Sequence, residues 1–141
     1  MNIKNIICTI TGITGAFITQ LLGGWTGAMT TLIIFMGLDY ATGLIVAGVF
    51  HKSGKSESGS LESHAGWKGL IRKGVTLAIV MVAYRLDLLI GTNYIKDAVI
   101  IAFCANELIS LIENAGLMGV PIPEPITKAV EVLKKKGGGE A

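Results

Sequence analysis

The sequence contains few charged residues for its length. Asp, Glu, Lys and Arg make up 16% of its 141 residues, whereas soluble domains usually contain about 25%. Hydrophobic residues make up 51%, and the net charge is only +2. The scarcity of charge argues against an ordinary soluble domain, and the small net charge argues against a nucleic-acid-binding protein.

Cysteine is nearly absent. Cys8 and Cys104 each lie inside an apolar tract, with no Cys or His at metal-ligand spacing. Two isolated cysteines exclude a disulfide framework, and we expect both to be small apolar packing residues. The chain also lacks a nucleophile elbow, an HExxH motif, a P-loop and a dinucleotide fingerprint. We therefore expect no enzyme activity, no catalytic residue, no cofactor and no metal site.

Long apolar tracts are present instead. Four of them approach the roughly 20 residues that a membrane-spanning helix needs, at about residues 6–22, 27–50, 75–91 and 97–117. Gly23-Gly24 and Gly91-Thr92-Asn93 separate them into two hairpins with turn chemistry at each break. The pattern predicts an all-α integral membrane bundle over residues 1–120 with four transmembrane helices. Three spans, with the first tract outside the bilayer, are the alternative.

Two segments are polar. Residues 51–73 predict a loop, flexible and rich in Ser, Gly and Lys at its start, with bulky apolar residues and cations at its end. Residues 121–141 begin with alternating prolines and end in a lysine run and a Gly-rich tail, which we expect to be disordered. Between them, Ile126, Ala129, Val130 and Leu133 recur at helical spacing. They predict a short amphipathic helix whose apolar stripe lies on the membrane or on a neighbouring helix.

The distribution of Lys and Arg predicts the orientation. With four spans, the N-terminus, the middle loop and the C-terminus share one side and carry ten of these residues, whereas the other side carries only Lys96. Arg85 lies inside the third tract. Because cytoplasmic segments are enriched in Lys and Arg, we expect a multi-pass protein of the bacterial inner membrane with both termini in the cytoplasm.

Polar residues inside the apolar tracts are the candidate functional residues. A charge near the bilayer centre costs at least about 2.5–3.5 kcal/mol on insertion scales, so such residues need a partner or water. In the fourth tract, one helical face carries Asn106, Ser110, Glu113 and Asn114, and Glu107 lies beside it. The candidates for pore lining or assembly are Asp39, Arg85, Asp87, Asn106, Glu107, Ser110, Glu113 and Asn114.

Two interpretations of these residues remain open. In the first, they form a network inside the bundle, in which Arg85 pairs with Asp39 or Glu107. In the second, their faces line an aqueous pore or a subunit interface. Small residues four apart also predict close helix packing, and the pairs are Gly12 with Ala16, Gly37 with Ala41, and Gly43 with Ala47.

Five short segments carry a family resemblance. They read DYATG at 39–43, GWKGLIRK at 66–73, LD at 86–87, ELISLIEN at 107–114 and GVPIP at 119–123. On these segments the chain resembles the toxin-secretion/phage-lysis holin family of bacteriophage holins, from about Asp39 to Pro123. Arg85 is not part of this pattern, and its candidacy rests on the physical argument alone.

The resemblance implies a function. Holins accumulate in the inner membrane of the host bacterium, oligomerise and open lesions that release an endolysin, or in some systems a toxin, and so trigger lysis. The implied partners are the lipid bilayer and further copies of the chain, with endolysin as a functional partner that does not bind stably. The alternatives are a small ion channel or transporter, and a membrane adaptor with a basic cytoplasmic tail.

Overall fold

The computed structural model describes residues 2–55, 58–59 and 62–138, and these residues form five α-helices and no strand. The all-α prediction is therefore confirmed. The helices are α1 (Ile3–Leu21), α2 (Gly27–Gly48), α3 (Ser63–Ile90), α4 (Ile95–Leu117) and α5 (Glu124–Lys136). Residues 56–57 and 60–61 of the middle loop, and residues 139–141 of the expected disordered tail, lie outside the described part.

Helix α3 begins much earlier than the sequence predicts. Its first residue is Ser63 rather than a residue near 75, so the segment expected to end the polar loop is helical. The early turns pack against α2, where Gly66 and Gly69 lie close to the ring of Tyr40. This tertiary contact outweighs the weak helix propensity of two glycines.

Both hairpin turns depend on glycine. Gly23 and Gly24 have φ angles of 80° and 95°, and Gly91 ends α3 with a φ of 81°. Residues that have a side chain rarely adopt this left-handed backbone region, so these positions favour glycine. The two turns lie at the same end of the bundle, because the ammonium of Lys96 donates a hydrogen bond of 3.2 Å to the carbonyl of Gly24.

The apolar core occupies the half of the bundle next to these turns. It joins the start of α2, the later part of α3 and the start of α4, and consists of Leu22, Met29, Leu32, Met36, Val80, Ile100 and Cys104. Cys104 therefore packs as expected, whereas Cys8 is exposed on α1, which corrects the expectation for that residue. Helix α1 has no buried residue at all.

Helix α2 alone, among the helices of the described residues, is long and apolar enough to cross a membrane by itself. Its 22 residues span about 33 Å at 1.5 Å per residue. Helices α3 and α4 contain the charged residues Lys73, Arg85, Lys96 and Glu107, which lower their apolar character. The number of spans beyond α2 therefore stays a prediction.

Helix α5 folds back along α4. Val130, from the predicted apolar stripe, is buried, and Gly137 at the end of α5 touches Ala102 of α4. The three lysines of the last turn, Lys134–Lys136, are exposed. The apolar stripe thus contacts a neighbouring helix, one of the two positions that the sequence predicts, through Val130, whereas Ile126 and Ala129 are exposed.

Candidate functional site

Three helices meet at one ammonium group. The Nζ atom of Lys73 on α3 donates hydrogen bonds of 2.8 Å to Asp39 on α2 and of 2.8 Å to Glu107 on α4. The three side chains are only 16%, 6% and 14% exposed, in that order. An ion pair with so little solvent around it is strongly coupled, since nearby water no longer screens the charges. We call Asp39, Lys73, Glu107 and their direct partners Asn114, Lys55 and Ser110 the polar cluster.

Asn114 fixes Asp39 from the other side. Its side-chain nitrogen donates to the Asp39 carboxylate at 3.1 Å, to the Asp39 carbonyl at 3.2 Å and to the Thr42 hydroxyl at 2.9 Å. Asn114 itself is buried. Because Asp39 and Thr42 lie three residues apart on α2, they share a face that one amide group can reach. This contact ties α2 to α4 independently of Lys73.

A loop lysine completes the polar cluster. The Nζ atom of Lys55 lies 3.9 Å from the carboxylate of Asp39 and donates a 3.5 Å hydrogen bond to the hydroxyl of Ser110. The side chain of Lys55 is 55% exposed, so this contact is weaker than the one made by Lys73. With Lys55 included, two cations face two carboxylates.

A cavity of about 410 Å³ opens beside the polar cluster. Glycines allow close contacts between the helices around this cavity. Gly43 lies next to Asn114. The hydroxyl of Tyr40 donates a 3.2 Å hydrogen bond to the carbonyl of Gly66. Asn106 and Glu113 line the same cavity and are exposed. The polar face of α4 that the sequence predicts therefore borders this cavity.

The site has the properties of a satisfied polar network. Within the described ranges, each buried side-chain nitrogen or oxygen has a hydrogen-bond partner. In the same ranges no group of three His, Cys, Asp or Glu side chains is placed to hold a metal ion. The network thus holds α2, α3 and α4 together by polar contacts, and the low local dielectric strengthens each of them.

Asp87 lies away from the polar cluster, at the turn between α3 and α4. One oxygen of its carboxylate accepts from the Thr92 hydroxyl at 2.6 Å and from the Ile95 amide at 3.0 Å. The other accepts from the Lys96 amide at 2.9 Å. Asp87 thus satisfies the free amides at the start of α4, the role of a helix N-cap.

Arg85 does not take the position that the first interpretation gives it. It is exposed, and within the described residues no ion pair joins it to Asp39 or Glu107. That pairing is therefore wrong, and Lys73 occupies the place. The error comes from the depth assigned to α3: Lys73 precedes Arg85 by twelve residues, about 18 Å along a helix.

The small-residue pairs divide into two groups. Gly43 and Ala47 line the cavity on the inner side of α2. Gly12 and Gly37 have open space where a Cβ atom would lie, and Ala16 and Ala41 are exposed. The pairs Gly12 with Ala16 and Gly37 with Ala41 therefore face away from the helices of this chain.

Sequence reasoning missed Lys73, the central residue of the polar cluster. A signal was present, because Gly66, Gly69, Lys73 and Thr76 follow one another at spacings of three and four. That spacing puts small and polar residues on one face of a continuous helix. Extending α3 back through this segment would have placed Lys73 beside Asp39 and Glu107.

These features are those of a small helical protein built for an apolar environment: an apolar first helix without buried residues, a second helix able to cross a membrane, and polar contacts enclosed between helices. The chain belongs to the bacteriophage holin family, whose model matches residues 16–135. The matched range includes every residue of the polar cluster. Membership of this family indicates a membrane protein.

Similar proteins occur in several bacteria and a phage. An uncharacterized protein of Clostridium perfringens strain 13 is 36% identical over 135 residues, covering 93% of this chain and 94% of its own. An uncharacterized protein of Listeria innocua is 35% identical over 127 residues, covering 89% and 85%. A probable holin of Bacillus phage phi105 is 30% identical over 104 residues, covering 73% and 71%. No solved structure matches the chain.

Proposed function

We propose that this protein is a holin, which accumulates in the inner membrane of a bacterium, oligomerises and opens lesions through which an endolysin or a toxin leaves the cytoplasm. The observation that carries the proposal is the family match over residues 16–135, together with the similarity to a probable phage holin. The holin family is not enzymatic, and no catalytic step is part of the proposal.

The proposed topology has four spans, α1 to α4, with both termini in the cytoplasm. The two glycine turns lie at one end of the bundle, as two hairpins entering from the same side require. In this arrangement Lys73, Asp39 and Glu107 satisfy one another within the bundle, which lowers the cost of placing α3 and α4 in lipid. Arg85 lies near the outer end of α3, where a long side chain can reach the headgroups.

The exposed face of α1 supports contact with lipid. Ile3, Ile7, Ile10, Ile13 and Phe17 are each more than half exposed, although all are large and apolar. An apolar helix that contacts so little of its own chain is unstable in water, since most helical stability comes from packing. Lipid supplies the missing apolar surroundings.

We propose that the polar cluster holds the helices in a closed arrangement before a lesion forms. In a single copy, α2, α3 and α4 hold their polar groups against each other. When many copies associate, the polar face of α4, with Asn106, Ser110 and Glu113, turns toward a shared lumen, where water solvates it. The change is cooperative, because one copy alone has no lumen to hydrate its polar face.

Association is proposed to use the outward-facing small pairs. Gly37 and Ala41 on α2, and Gly12 and Ala16 on α1, leave room for another helix at close range. Membrane depolarisation is a natural trigger, since moving one charge through the membrane field changes the free energy by about 2.3 kcal/mol per 100 mV. Endolysin then passes through the lesion without a stable complex with the holin.

The size of what passes tests this function. Cells induced for the protein are followed for entry of a small impermeant dye and for release of a large cytoplasmic enzyme. A holin lets both pass abruptly after the same delay. Passage of ions or dye without enzyme would establish a channel or transporter instead, and no permeability change at confirmed membrane expression would favour an adaptor.

A further inference from the structure

Helix α5 packs along α4. If α4 were embedded in lipid, the lysines of α5 would be in lipid as well. A Cβ atom on Gly137 would lie 2.9 Å from the Cα, Cβ and N atoms of Ala102. The end of α5 is thus in direct contact with α4, and α5 runs back along α4 from the direction of Leu117. Ala102 is fifteen residues from Leu117, which is about 22 Å of helix.

This position conflicts with a bilayer around α4. The hydrocarbon core is about 30 Å thick, so with α4 crossing it the last turn of α5 would lie deep inside. Lys134, Lys135 and Lys136 form that turn and point away from the protein. Each charge at such depth disfavours the arrangement on the order of a hundredfold.

The chemistry of α5 fits another surface. Its apolar stripe of Ile126, Ala129, Val130 and Leu133 is followed by the three lysines, a combination that binds the boundary between headgroups and acyl chains. Lysines next to such a stripe are attracted to anionic lipid. The same stripe contacts α4 here through Val130, so it serves one of the two surfaces at a time.

We propose that α5 exchanges α4 for the anionic cytoplasmic surface of the bilayer when α4 crosses the membrane. Docked on α4, as in this structure, α5 covers a helix that has not entered lipid. Released, it anchors the C-terminal segment among anionic headgroups and leaves a face of α4 free for other helices. The inference rests on the crossing of α4 that belongs to the proposed function.

A bridge between α4 and α5 tests the exchange in the full chain. Ala102→Cys and Lys136→Cys are combined in a chain whose own cysteines are replaced, and a short bismaleimide joins them only when α5 is docked. In vesicles of mixed phosphatidylcholine and phosphatidylglycerol, the unaltered lysines 134 and 135 should prevent bridging. Adding Lys134→Gln and Lys135→Gln should raise the docked-to-released ratio about twenty-fivefold or more, since each lysine near an anionic surface contributes about one factor of five.

Two controls make the result specific. Lys52→Gln with Lys68→Gln removes the same charge from exposed positions and should leave bridging absent. Adding Gly137→Leu to the variant with both tail lysines replaced should abolish its bridge, because the larger side chain collides with the α4 backbone at position 102. Three results would each overturn the exchange. The first is bridging in anionic vesicles while Lys134 and Lys135 are in place. The others are bridging between copies, and no increase in bridging when the two lysines are replaced.

A separate label distinguishes failure of the exchange from failure of the topology. Asn93→Cys in the turn before α4, and Val120→Cys just after α4, are both exposed positions and are labelled in sealed vesicles with an impermeant maleimide. Complementary labelled fractions show that α4 crosses, so persistent bridging would then overturn the exchange alone. Equal fractions would overturn both the crossing of α4 and the exchange that rests on it.

Discussion

The ammonium of Lys73 lies 2.8 Å from the carboxylate of Asp39, and this pair joins α3 to α2, two helices that have few other contacts with each other. Helix α4 packs on both of them and adds Glu107 to the same ammonium. One lysine therefore links three helices at the place where the apolar core ends and the cavity begins. The stability of the closed bundle should depend on it.

Replacing Lys73 should destabilise the bundle strongly. Lys73→Met leaves two poorly solvated carboxylates close together, and breaking a buried pair in this way costs about 3–5 kcal/mol. The midpoint of thermal unfolding in detergent should fall by many degrees. Lys68→Met, at an exposed position on the same helix, should leave it nearly unchanged.

The effect of unpaired charge can be separated from the effect of lost packing. If unpaired charge is responsible, Asp39→Asn and Glu107→Gln added to Lys73→Met should recover most of the lost stability. A triple variant as unstable as Lys73→Met would assign the effect to packing of the lysine side chain instead.

Replacing Asp87 should loosen the outer turn. Asp87→Ala removes the acceptor for the amides of Ile95 and Lys96, so hydrogen exchange at those amides should become several-fold faster. Asp97→Ala, in the first turn of α4 but exposed, should have a smaller effect through the helix dipole alone. Equal exchange in the two variants would contradict the capping role of Asp87.

The two glycines of the first turn should respond differently to alanine. Both have positive φ angles, which cost a non-glycine residue about 1–2 kcal/mol. Only Gly23 also lies against Tyr84, whose ring a Cβ atom would strike, whereas Gly24 faces open space. Gly23→Ala should therefore lower the unfolding midpoint more than Gly24→Ala, and Tyr84→Leu should reduce that difference. Equal midpoints would show that the turn adjusts freely.

Removing the charge of Glu107 should advance lysis. Glu107→Gln weakens the contact of α4 with Lys73 and so favours the open arrangement over the closed one. At equal expression, the delay before lysis should shorten relative to the unaltered chain. Glu131→Gln, at an exposed position on α5, should keep the original delay. An unchanged delay for Glu107→Gln would remove this carboxylate from the mechanism.

The sequence predicts the elements of the fold better than their partners. Uninterrupted apolar runs and the glycine turns place α1, α2 and α4 close to their observed positions, because both signals are local. The spacing of Ile126, Ala129, Val130 and Leu133 likewise predicts α5. These features depend on residues near one another in the chain.

The contacts of the polar cluster depend on how the helices are aligned with one another, which no local sequence signal supplies. Which lysine or arginine meets Asp39 and Glu107 is set by how far α3 extends and how it slides along α2 and α4. Placing the start of α3 near residue 75 brings Arg85 level with the two carboxylates, whereas the true start at Ser63 brings Lys73 there. Asp87 is similar, since its capping role depends on the geometry of the turn that follows it.

The central claim is tested most directly by inducible expression in a bacterium, with and without an endolysin that lacks its own export signal. Optical density and release of a cytoplasmic enzyme are followed after induction. If the protein is a holin, growth stops abruptly after a delay, and the culture lyses only when the endolysin is present. Continued growth in both cultures, with the protein confirmed in the membrane, would contradict the account.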